Sequence, residues 1–177
     1  MTVSKLSIID QLFKSGNDLV EYLTNNSQLT FINEAENNFR KTLLLSSASY
    51  FEKEICDLIL EFARSNSGNN DLIISIIQHK AVKRQYHTYF DWENSTNANK
   101  FFSMFGEDFK AKMAQIVRND DHLAKSIKAF IEIGNERNKM VHQNFAEIVI
   151  DKTAKEIYDL YKLALYFIEI LTQELLN

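Results

Sequence analysis

The stretch KTAKEIYDLYKLALYFIEILTQELL, residues 152–176, decides the fold class. Ala154, Ile157, Tyr161, Ala164, Ile168, Leu171 and Leu175 recur in alternating steps of three and four, which lines them up along one side of an α-helix. Asp151, just ahead, is the expected acidic cap. The chain of 177 residues contains no proline and only four glycines. Sandwiches and barrels need frequent turn residues, so this scarcity of breakers points to an all-α protein.

Moving towards the N-terminus, the same periodicity returns. Over about 121–142, Leu123, Ile127, Phe130, Ile131, Gly134 and Val141 trace an apolar stripe. EDFKAKMAQIVRND forms a helix before it. A long helix is expected at roughly 30–64, with Leu44, Ala48, Phe51, Ile55, Leu58 and Phe62 on one face. RSNSGNN ends it, with Gly68 as the stop residue. A first helix spans about 5–24 and carries Leu6, Ile9, Leu12, Phe13, Leu19, Val20 and Leu23. Between the long helices, DLIISIIQHKAVKRQ reads as a short helix capped by Asp71. The aromatic-rich YHTYFDWENSTNANKFFSMFG that follows reads as short turns and loops. The expected architecture is an antiparallel, up-and-down helical bundle with an irregular insert, forming one domain over residues 1–177.

Composition excludes several function classes. Hydrophobic residues make up 45% and charged ones 25%, an ordinary globular balance. A net charge of −4 argues against nonspecific coating of nucleic acid while permitting a local basic pocket. The lone Cys56 excludes an intrachain disulfide framework and a multi-thiolate zinc site. Within EICDLIL it reads as a small buried hydrophobe. MTVSKLSIIDQLF lacks the apolar core of a signal peptide, and no run reaches the roughly 18 apolar residues of a membrane span. A cytoplasmic protein with no membrane association is expected.

One segment carries chemistry. NERNKMVHQN, residues 135–144, places Arg137 and His142 five positions apart, with Asn138 between them. On an ideal helix that spacing separates the pair by about 140° and about 7.5 Å along the axis. Asn138 stacks with His142, and Arg137 with Val141. A straight helix therefore splays the pair. Either the helix distorts near its end, or two copies of the motif meet across a dimer axis. Arginine supplies a permanently charged fork that matches phosphate oxygens and stabilises charge building on them. Histidine exchanges protons near neutrality. On RNA the 2′-hydroxyl is a built-in nucleophile, so the chemistry requires neither metal nor cofactor. Spacing alone is equally compatible with a surface ion pair at a helix end, which is worth little energetically.

RNKMVH resembles the Arg-(x4–6)-His signature of the HEPN superfamily, with a polar residue directly after the arginine and a final long helix to follow. LLLSSASYFEKEICDLI and YFDWENSTNANKFFSMFGEDFK resemble segments of its MAE-type, RiboL-PSP-related branch. The likeness extends over most of the chain from about residue 30. It implies a metal-independent endoribonuclease acting as a homodimer in toxin–antitoxin or antiphage systems, with an antitoxin or other defence partner. Carried onto this chain, it makes Arg137 the residue that binds and polarises the scissile phosphate and His142 the general acid/base. Asn138 would position one of them, and the product would be a 2′,3′-cyclic phosphate. Some HEPN toxins carry a tyrosine two positions after the histidine, which a nucleotidyltransferase antitoxin modifies; here that position is Asn144. Other superfamily members are scaffolds, so a catalytically silent binding or regulatory module is the alternative expectation. A plain structural bundle with an incidental motif is a third.

The remaining candidates have bland alternatives. HKAVKRQYH, residues 79–87, sets Lys80, Lys83, Arg84 and His87 beside Tyr86 and Tyr89. Basic and aromatic groups together suit RNA, with Lys83 and Arg84 as the substrate contacts, although such runs are commonly solvated faces. Trp92, Phe90, Phe101, Phe102 and Phe105 are expected to anchor the insert by packing rather than to stack bases. Glu54 and Glu136 are placed either to tune the histidine or to pair with lysines. His79, His87 and His122 lack metal-like spacing and are given no chemistry.

Overall fold

The computed structural model describes residues 6–142 and 147–176, with His142 described in its backbone alone. Those residues form an all-helical bundle. Helix α1 (Ile8–Asn25) starts from a capping box. The Ser7 hydroxyl accepts from the Asp10 amide, and the Asp10 carboxylate accepts from the Ser7 amide. Helix α2 (Leu29–Asn66) is the spine, 38 residues and so about 57 Å long. It stops as expected where Gly68 takes a φ of +61° and Asn69 follows at +59°.

The insert differs from expectation at both ends of its first helix. Asn70, not Asp71, caps α3 (Asp71–Ile77), its side-chain oxygen accepting from the amides of Leu72 and Ile73. The helix then widens into a π turn over Gln78–Val82, closed by Lys83 N–H donating to the Gln78 carbonyl at 2.8 Å. The continuous apolar run of α3 is not buried; Leu72, Ile73 and Ile76 are exposed. Short helices α4 (Tyr86–Tyr89) and α5 (Asn99–Ser103) complete the insert.

Helices α6 (Glu107–Asn119), α7 (Asp121–His142) and α8 (Ala154–Leu176) close the bundle. Asp120 caps α7 through the Leu123 amide and accepts from the Tyr166 hydroxyl on α8. The apolar stripe of α7 holds except at its end. Val141 is 52% exposed and Met140 is buried in its place, because the stripe drifts round the helix. On α8 the cap is Thr153 rather than Asp151. The Thr153 hydroxyl accepts from the Glu156 amide, and the Glu156 carboxylate accepts from the Thr153 amide at 2.8 Å. Threonine three residues before glutamate outcompetes an aspartate that has no such reciprocal partner.

The core lies where α2, α7 and α8 meet. Ile157, Tyr161, Ala164, Phe167, Ile168, Leu171 and Leu175 of α8 are buried against Phe51 and Ile55 of α2 and Phe130 of α7, within one cluster. Each large apolar side chain so buried contributes about 1.5–3 kcal/mol, so this seam dominates the fold. Cys56, expected to be buried, is only partly so. That partial burial, with Glu52 and Asp57 nearby, pushes its thiol up to about 11. Among the described residues, no helix is long and apolar enough to cross a membrane.

Helix α1 is tied down by polar contacts as well as by packing. Phe13 stacks on Tyr158 at 4.0 Å. The Tyr158 hydroxyl donates to Asp10 Oδ1 at 2.7 Å, and Lys162 Nζ lies 3.4 Å from the same oxygen. Burial would raise the Asp10 carboxyl, but hydrogen bonds from Tyr158 and Ser7, with Lys162 close by, outweigh it and hold the group down at about 2. A carboxyl depressed in the folded state stabilises above its unfolded value and loses that contribution as pH falls through the folded one. Asp10→Asn is expected to cost about 1–2 kcal/mol at neutral pH. In urea titrations the gap between the two proteins should close between pH 4 and pH 2, and a gap unchanged across that window would refute the assignment.

Candidate functional site

Gly134 lies in the middle of α7, where glycine costs a helix about 1 kcal/mol relative to alanine. Its value here is space. A β-carbon at this position would sit 2.1 Å from Cζ3 of Trp92 and 2.3 Å from Cε3. The indole therefore rests directly on the α7 backbone. It is held by its Nε1–H, which donates to the His87 carbonyl at 3.0 Å, and by rings of Phe90 and Tyr86 with centroids 4.8 and 5.4 Å away. Phe90, Trp92, Phe101 and Phe102 are buried, so these aromatics pack the insert, as expected of them.

One turn beyond Gly134, α7 presents Arg137 and Asn138 to a cavity of about 520 Å³. That volume is in the range of small-ligand sites, roughly 300–1,000 Å³. Three segments distant in sequence build it: Glu52 from α2, residues from Arg84 to Asn94 with Lys100 from the insert, and Arg137, Asn138 and Val141 from α7. Arg137 Nη1–H donates to Asn138 Oδ1 at 3.1 Å, and Nη2 lies 3.7 Å from Glu52 Oε2. Tyr86 is packed behind this pair. Burial first, then the Glu52 charge, push its phenol well above the usual tyrosine range, so it is a neutral wall. The charges lining the cavity are mixed, with Arg84, Lys100 and Arg137 facing Glu52, Asp91 and Glu93. Asp91 is partly engaged already, its Oδ1 accepting from the backbone and side-chain amides of Asn94 at 3.2 Å each. Such a surface offers donors to phosphate oxygens and acceptors to base amines.

A family model, RiboL-PSP-HEPN, matches residues 10–177. The chain belongs to the RiboL-PSP-HEPN family. No curated protein and no solved structure matches the chain. Membership of this HEPN family supports a ribonuclease function as a class.

The structure brings together Arg137, Asn138 and Arg84 of the residues singled out in the sequence, and does not bring Lys83 to the cavity. The side chain of His142 lies outside the described residues, as does Asn144. The backbone of α7 stays helical through His142. Glu136 pairs with Lys139 at 2.7 Å, the plainer of its two expected roles. Glu54 lies near Tyr50 on α2. His87 does reach the cavity, while the His122 ring lies tilted against Tyr166. Among the described residues, no group of three His, Cys, Asp or Glu is placed to hold a metal ion.

Sequence reasoning missed Glu52, Asp91, Glu93 and Lys100. None carries a local signature, because each joins the cavity through tertiary packing. Gly134 was the available signal, a glycine inside a strong helix that marks a close approach. Gly134→Ala sets a gain of about 1 kcal/mol in helix propensity against overpacking that costs about 1–3 kcal/mol. Rigid indole atoms at 2.1 Å decide the outcome, so net destabilisation is expected. Trp92 is the only tryptophan, so its emission should shift in the variant; unchanged emission and stability would show that the indole does not rest there.

Proposed function

We propose that this HEPN-family chain is a metal-independent endoribonuclease that acts as a homodimer, with residues 1–177 forming one catalytic domain. The observation that carries the reading is the placement of Arg137 and Asn138, hydrogen-bonded side by side on the wall of a nucleotide-sized cavity that also holds Arg84 and Lys100. The family match supports it.

In the proposed reaction, the RNA 2′-oxygen attacks the adjacent phosphorus and the bond from phosphorus to the 5′-oxygen breaks. The products are a 2′,3′-cyclic phosphate and a free 5′-hydroxyl. Arg137 binds the non-bridging oxygens and stabilises the negative charge that grows on them. Asn138 orients Arg137, and His142 moves the proton between the reacting oxygens. Arg84 contacts the RNA backbone within the cavity, and Lys83 does so outside it. The unbroken helix favours the second answer to the splay, in which two chains contribute to one cleft. The proposed role is that of a toxin or effector in a toxin–antitoxin or antiphage system, in the cytoplasm and with an antitoxin or defence partner, a reading the family match supports only at the level of the class. The exposed Leu72, Ile73 and Ile76 of α3 favour a second reading, in which the same bundle is a catalytically silent binding module.

Purified protein should cut single-stranded RNA in EDTA and leave cyclic phosphate ends. Arg137→Ala and His142→Ala should each lower the rate by at least about 10²-fold with the circular dichroism spectrum unchanged. Cleavage at the wild-type rate by both variants would refute the site. No cleavage by wild type, with a stable complex formed by a co-expressed neighbour, would select the binding module.

A further inference from the structure

Glu52 stands in an unfavourable place for a phosphate-binding site. Its carboxylate is 3.7 Å from the guanidinium assigned above to the scissile phosphate, and it lines the same cavity. Two anions on one cation weaken each other's hold, so Glu52 costs phosphate affinity. Nor does the pair account for fold stability. Its side chains are 33% and 43% exposed, and water screens ion pairs of that kind until they contribute little.

Orientation is what the contact supplies. A guanidinium is a rigid planar fork with five N–H donors. Here Asn138, on the same helix, takes one terminal nitrogen, and Glu52, across on α2, attracts the other. Two partners on different elements fix the plane of the fork, and the donors they do not use remain for the cavity. The platform for Glu52 is stiff. Its neighbour Phe51 and the residue one turn on, Ile55, are fully buried in the core, and the partly buried Tyr86, itself packed on that core, lies near enough to feel the Glu52 charge.

We propose that Glu52 is a positioning residue that holds the Arg137 guanidinium in the orientation required by the transition state, accepting weaker ground-state binding of RNA in exchange. The proposal rests on the role given to Arg137 above. It makes an unusual kinetic demand, because removing Glu52 must lower kcat and lower KM together. A purely structural role would reduce the fraction of active protein and leave KM where it was.

The test uses the full chain, an oligoribonucleotide substrate and its uncleavable 2′-O-methyl counterpart. Glu52→Ala is expected to lower kcat about tenfold and to lower both KM and the Kd for the methylated strand about threefold. Glu52→Gln keeps an acceptor at the same reach, so kcat should stay within about threefold of wild type while KM falls as in the alanine variant. In RNA-free protein, the ¹⁵N side-chain signals of Arg137, identified by their loss in Arg137→Lys, should broaden in Glu52→Ala. Unchanged kcat, unchanged KM, or sharp Arg137 signals in Glu52→Ala would each overturn the proposal. If Arg137→Ala is inactive while Glu52→Ala behaves as wild type, this inference alone fails. Cleavage that survives in Arg137→Ala overturns the site on which it rests.

Discussion

The contact between the Trp92 indole and the bare backbone of Gly134 is the constraint on which the geometry of the cavity depends. The insert between α3 and α6 has little regular structure of its own, so something outside it must fix its position. The indole does so by resting against α7 at Gly134, while its N–H satisfies the carbonyl of His87 five residues earlier. Arg84, His87, Asp91, Glu93 and Asn94 are then carried to the same cavity as Arg137 and Asn138. A bulkier residue at 134 would separate wall from floor.

The second constraint is the seam of α2, α7 and α8. Because Phe51, Phe130, Tyr161 and Phe167 interlock there, α2 cannot slide relative to α7 without opening cavities. That rigidity lets a carboxylate on one helix and a guanidinium on another hold a fixed relation although both are half exposed. The capping boxes on α1 and α8 and the Asp120 cap on α7 fix where each helix begins, and with it which residues face inward.

The fold was legible because long helices write their burial in steps of three and four. The α8 stripe was read almost entire, with Phe167 missing, and the end of α2 was marked by Gly68. Cap identity was less legible. Asp71 and Asp151 are good caps in isolation, but Asn70 and Thr153 make the better hydrogen bonds, and a one- or two-residue shift is decided by such competition. The π turn and the exposed face of α3 left no trace in the pattern, since a continuous apolar run has no polar side to betray its orientation. Within the site, Arg137 and Asn138 were visible because a motif holds them together on one helix. Glu52 and Lys100 were not, because their role is created by the meeting of segments that periodicity cannot bring together.

That dispersal has a kinetic side. The pairs α1–α2 and α7–α8 are neighbours in the chain, and each can zip up across a modest loop. The cavity draws instead on positions near 52, 84–94 and 137–141, so it exists only after the two helical hairpins have docked with the insert trapped between them. Loop-closure entropy makes such long-range contacts slow to form. A chain still emerging from the ribosome therefore acquires its helices well before it acquires the cavity, and the site becomes complete only with the whole bundle.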